Sequence, residues 1–164
     1  MMNIIKKKEL QVKKLIALAA VLFTAGILSA QTADFVTEML GAKSANYGQV
    51  SYLAAVYQGI VPETADYPTA FAALQEKGQL PEDAEISASV DMQHLSYIFT
   101  RVYNVGGGFM YRITKGNMRY SFRQLKADGV LVQKTDPRKT ASGTDVMNLY
   151  TDCERVYGEQ EAAK

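Results

Sequence analysis

Three groups of side chains in this 164-residue chain could do chemistry. The loop "LPEDAE" offers Glu82, Asp83 and Glu85, and paired carboxylates cleave glycosidic bonds when held at the right separation. His94 and Cys153 are the only histidine and cysteine, too few to make a metal site by themselves, and no cofactor is implied. The third group lies in "GGGFMYRITKGNMRYSFR", Gly106 to Arg123. There Tyr111, Arg112, Lys115, Arg119, Tyr120 and Arg123 follow three consecutive glycines. Guanidinium groups donate in pairs to carboxylate or phosphate, while tyrosines stack on sugar rings or pack against protein. No Gly-Lys-Ser/Thr follows the glycines, so this is not a nucleotide phosphate loop. Arg119 and Arg123, four apart, share a helix face with Lys126 close by. Two readings are open. Phe109, Met110 and Phe122 staple neighbouring elements while the cations pair with acidic flanks, or the cations form an exposed site for an anionic partner.

The elements that must position these residues show an internal repeat. "FAALQEKGQL" (Phe71 to Leu80) and "FRQLKADGVL" (Phe122 to Leu131) superimpose without a gap, matching at Phe, Leu, Gly and Leu. Each reads as a short helix stopped by a glycine, Gly78 or Gly129, whose left-handed conformation satisfies the last carbonyls. Asp66 caps the first, with Pro68 close behind. A longer amphipathic helix follows each copy. "SVDMQHLSYIFTRVYN" carries Leu95, Ile98, Phe99 and Val102 on one face, with Ser89 as the expected cap. "TDVMNLYTDCERVYG" carries Val146, Leu149, Tyr150, Cys153 and Val156, with Thr144 or Ser142 as cap. Both end in Arg-Val-Tyr. Cys153 on that face is expected to be a buried apolar residue, with an intermolecular disulfide as the alternative.

The pattern predicts an all-α domain of about six short helices in tandem helix-loop-helix units, with little or no β-structure beyond a brief strand at "VLVQK". A weak unit occupies 33–62, with its stop at Gly59, and repeat units occupy 67–104 and 119–158. Between the repeats lies a connector, 105–118, in which Gly106, Gly107 and Gly108 supply a helix end and a sharp turn.

A helix ending in Gly-apolar, a loop with a proline or acidic turn, then a capped helix of the form "LSYIFTRVY" resembles the S-layer-homology repeat. That resemblance covers most of Tyr67 to Gly158 and implies a secreted, helical tandem-repeat protein that binds cell-wall polysaccharide or peptidoglycan-linked polymer. The family's Thr-Arg-Ala-Glu segment is replaced here by "SVDMQH" and "TDVMNL", and the chain has no tryptophan. No glycan-recognising residue is carried over from the family.

The chain's start agrees with that compartment. Five lysines and one glutamate precede the apolar run Leu15 to Ala30, the pattern of a secretory signal peptide cleaved near Ala30. At sixteen residues the run is shorter than the roughly 20 that cross a bilayer, although a retained anchor is the alternative. No cysteine stands at the boundary, which argues against a lipoprotein. Residues 31–158 then make one domain, and 159–164 a polar tail. The net charge of +1 conceals its distribution: residues 92–141 hold nine basic and two acidic side chains, flanked by acidic segments. Export and a negative mature charge argue against a nucleic-acid partner. The expected function is non-enzymatic: a periplasmic binding or scaffolding protein engaging peptidoglycan, an associated polymer or an envelope protein assembly. A cell-wall hydrolase or transferase using the 82–85 carboxylates is the alternative.

Overall fold

The computed structural model describes residues 33–158. The segment read as a signal peptide and the tail 159–164 lie outside the described residues. The chain divides into two compact units, Met1–Val36 and Thr37–Lys164. Of the first, residues 33–36 are described, and they are helical.

Among the described residues the fold is all-helical. After α1, helical over 33–41, come α2 (Tyr47–Tyr57), α3 (Tyr67–Glu76), α4 (Met92–Val102), α5 (Phe109–Ile113), α6 (Met118–Ala127) and α7 (Gly143–Cys153). A π-helical turn, Glu154–Gly158, extends the last. No strand forms among the described residues, and 130–134, "VLVQK", make bends and turns. The glycine stops are local devices. Gly59, Gly78 and Gly129 all take positive φ, from 64° to 74°, just beyond α2, α3 and α6. The amides of Ile60, Gln79 and Val130 then reach back to the carbonyls of Ala55, Leu74 and Leu125.

The three 11-residue helices α2, α4 and α7 have equivalent starts. Asn46, Asp91 and Ser142 cap them, each accepting from the backbone amide three residues on. Ser89 is therefore not the cap of α4. Its hydroxyl accepts from Ser44 Oγ at 2.8 Å, and its backbone bridges to Asn46. Asp91 takes the cap because it is the residue immediately before the first helical position.

Immediately before each cap sits a small, fully buried residue: Ala45, Val90 and Ala141. Their backbones form a closed ring. The Ala45 amide donates to Ala141 O (2.8 Å), Ala141 to Val90 O (2.8 Å), and Val90 to Ala45 O (3.0 Å). The first helical amides, which have no partner inside their own helix, are met by the loop leading to the next long helix. Tyr47 and Gly48 donate to Ala88 O and Ile86 O, Met92 and Gln93 to Lys139 O and Pro137 O, and Gly143 to Ala42 O. The arrangement is cyclic, three helix pairs each seated on the next. The loop of the first pair is the shortest, and Gly143 seats closely against the end of α1 before it: a Cβ there would collide with Met39 O.

At their opposite ends the long helices meet through aromatic rings. Tyr57 contacts Tyr103 (4.9 Å between centroids) and Tyr150 (5.6 Å), Phe99 packs on both, and Tyr103 meets Tyr157. The two Arg-Val-Tyr tripeptides thus deliver their tyrosines to one cluster. Tyr103 donates to Glu154 Oε2 and Tyr157 to Asp128 Oδ2, so both polar tips are satisfied. Cys153 is fully buried beneath, its thiol pushed up by burial and by the charges of Asp152 and Glu154.

Two measurements check this construction. Gly143→Ala places a methyl group into a backbone carbonyl, whereas Gly59→Ala meets open space and carries only the strain of its left-handed φ. Denaturant titration should give Gly143→Ala a loss at or above the top of the ~1–3 kcal/mol overpacking range, and Gly59→Ala about 1 kcal/mol. Equal costs would contradict the close seating of α7. The second concerns alkali. Burial, then the charges of Asp91 and Asp83, push Tyr47 from its ordinary 10.0 up to about 12; burial also raises Tyr103 and Tyr157. A phenol whose folded pKa is raised contributes stability that is complete below the unfolded value and is lost as pH climbs through the folded one. The denaturation midpoint should fall progressively from about pH 10 towards pH 12, less steeply in Tyr47→Phe. A flat profile would rule the buried phenols out.

Candidate functional site

The site is built on α6. Asn117 caps it, its Oδ1 accepting the Tyr120 amide at 3.1 Å. Phe122 and Leu125 turn inward, and Ser121 is locked between Thr100 Oγ1 (3.1 Å) and Gly116 O (3.0 Å). That anchoring fixes the rotation of the helix and leaves Arg119 and Arg123 outside. Both line an open cleft of about 620 Å³ whose other walls are Gln93, Phe122, Lys126, Ala127, Gln133 and Pro137. Its lining joins the apolar Phe122, Ala127 and Pro137 to the cations Arg119, Arg123 and Lys126.

Lys126 has a structural task within this cleft. Its Nζ donates to Gln133 O (2.8 Å) and Thr135 O (2.9 Å) and lies 4.6 Å from the centre of the Phe122 ring. Gln133 Nε2 returns a bond to Lys126 O at 3.0 Å. The loop wall is thereby pinned to the helix. Arg123 stands 5.8 Å from the Tyr120 ring centre, close enough for a cation–π contact that holds the guanidinium in place.

The ion pairs of the described residues are Lys139–Asp145, Arg155–Asp152 and the histidine contact His94–Asp91. Arg112, Lys115, Arg119 and Arg123 belong to none of them. The expectation that the acidic flanks absorb these cations is not met among the described residues. Asp145 shows what such pairing does. Burial pushes its carboxyl up, but hydrogen bonds from Lys139 and Ser142 outweigh that and hold it below the usual carboxylate range.

Of the six residues singled out in the sequence, Arg119 and Arg123 line this cleft and the other four do not. Arg119, Arg123 and Tyr120 stand together on α6, while the other three belong to the α5 hairpin. The Tyr111 ring is lodged between Gly107 and Gly116, where added Cβ atoms would come within 2.2 Å and 2.7 Å of it. Arg112 Nε donates to Gly107 O at 3.1 Å, and Lys115 holds a left-handed φ of 53° in the turn that ends α5. Of the three glycines only Gly107 has a positive φ; Gly108 caps α5 and donates its amide to Gln124 Oε1 at 2.8 Å. Gly106 has open space around it. Phe122 is buried as a staple should be, but Phe109 and Met110 are exposed, at 76% and 48%.

The sequence reading passed over Gln93, Gln133 and Pro137. They come from the start of α4 and the loop after α6, and long-range hydrogen bonds bring them beside the arginines: Gln93 N to Pro137 O, and the pair between Lys126 and Gln133. Glu82, Asp83 and Glu85 are all exposed, and none lines this cleft. No cluster of three His, Cys, Asp or Glu side chains suited to a metal exists among the described residues. Set against family models, curated proteins and solved structures, the chain matches none of them.

Proposed function

We propose that this is an exported, non-catalytic binding or scaffolding protein of the cell envelope, and that the α6 cleft receives an anionic cell-wall polymer. The observation that carries the reading is that Arg119 and Arg123 flank the cleft without a carboxylate partner among the described residues. Stem-peptide carboxylates and polymer phosphates are the groups that a pair of guanidiniums accommodates, and apolar lining residues with Tyr120 nearby suit a sugar ring. The tandem helix pairs and the resemblance to the S-layer-homology repeat point to the same compartment. Export, a cleaved leader and a wall ligand belong together as one proposal.

Co-sedimentation with purified peptidoglycan sacculi tests it. Binding should weaken as salt rises, because the contacts are exposed and screened. Arg119→Gln with Arg123→Gln should reduce affinity by about tenfold or more, corresponding to roughly 1.4 kcal/mol or above. Lys43→Gln, an exposed cation outside the cleft, should leave it unchanged. Absence of binding at every salt concentration, or equal binding by all three proteins, would end the cleft assignment.

A further inference from the structure

The α5 hairpin exposes side chains that the cleft does not use. Five large apolar residues of the described chain are exposed, and three of them fall within the five residues of α5: Phe109 at 76%, Met110 at 48% and Ile113 at 61%. The helix buries no residue of its own. The hairpin is nonetheless firmly built. Tyr111 faces inward between two glycines, Thr114 Oγ1 bonds Met110 O at 2.8 Å, and the Gly116 amide closes on Tyr111 O at 2.8 Å. One aromatic ring anchors the turn and the other three large side chains are held in water. A concentrated patch of this kind marks a contact surface.

Charge indicates what it contacts. Arg112 lies inside the same helical turn and Lys115 in the turn that ends it, both exposed and both outside the ion pairs of the described residues. From Met92 to Ala127 the sequence contains no aspartate or glutamate. Two copies meeting through this patch would bring like charges together, which disfavours self-association. A short helix that interleaves bulky apolar and cationic side chains matches the boundary of an anionic bilayer, with acyl chains for the first and phosphates for the second. We propose that α5 is a membrane-surface contact: Phe109, Met110 and Ile113 enter the headgroup layer while Arg112 and Lys115 pair with anionic lipid phosphates. The assignment stands apart from the polymer reading, since none of these five residues lines the α6 cleft.

The chain has no tryptophan, so Phe109→Trp makes a full-length protein with a single reporter at the contact. Val132→Trp does the same at a position 73% exposed and outside the hairpin. Each is titrated with vesicles of equimolar phosphatidylglycerol and phosphatidylcholine, and with phosphatidylcholine alone. Tryptophan emission at position 109 should move to the blue with the anionic vesicles and barely respond to the neutral ones, while position 132 stays unchanged. Adding Arg112→Gln and Lys115→Gln should weaken the response about thirtyfold. In the otherwise unaltered full chain, Phe109→Ser with Ile113→Ser should sediment less with the same vesicles. The apolar amino-terminal segment is common to every protein compared, so it cannot produce these differences. Unshifted emission at position 109 would assign the patch to a protein partner and overturn the lipid proposal. A concentration-dependent shift without lipid would assign it to self-association, and equal shifts at both positions to non-specific adsorption; either would overturn it too.

Discussion

Everything in the described fold hangs on three backbone hydrogen bonds that close on themselves. Ala45, Val90 and Ala141 each donate to one neighbour and accept from the other. No side chain takes part, so the constraint falls on size and burial. All three are completely inaccessible, and a bulky residue at any of them would push the three helix starts apart. The ring also answers a general difficulty of helical proteins, the unpaired amides of the first turn. Here those amides are handed to the loop of the following pair, which ties each long helix to a segment far away in the chain.

The outer parts follow from that closure. Once α4 and α7 are seated, the loop through Pro137 must pass beside Gln93, and this creates one wall of the α6 cleft. Lys126 completes the wall by reaching two loop carbonyls. One cation is thus consumed by architecture, and the neighbouring arginines remain outside. The α5 hairpin, packed chiefly on α6, is an insertion between two such pairs and is under no obligation to fill the core. Its exposed apolar side chains therefore call for an explanation in terms of contact rather than folding.

Much of this was legible wherever the signal is local. Asp66 as a cap and Gly59, Gly78 and Gly129 as stops need only a few residues of context, and the helical class follows from their rhythm. Ser89 misled because a serine two places before an aspartate is an equally good cap in isolation. Its true partner, Ser44, lies 45 residues away. The ring was invisible for a similar reason: two alanines and a valine carry no pattern, and their bonding is entirely through the backbone. The first helix pair looked weak because only residues 42–45 precede the Asn46 cap, in place of the long loops of the other two pairs. At the site, spacing put Arg119 and Arg123 on one face correctly. It could not separate them from Tyr111 and Arg112, because that depends on a tyrosine ring fitting between two glycines, Gly107 and Gly116.

The most direct test of the ring is native-state hydrogen exchange at the amides of Ala45, Val90 and Ala141. If the three bonds are one closed constraint, they open together, and all three amides should exchange only through global unfolding, with the same free energy as denaturant titration yields. Exchange at any one of them through a cheaper local opening, while the other two stay protected, would show that the helix pairs are held independently and would contradict the account.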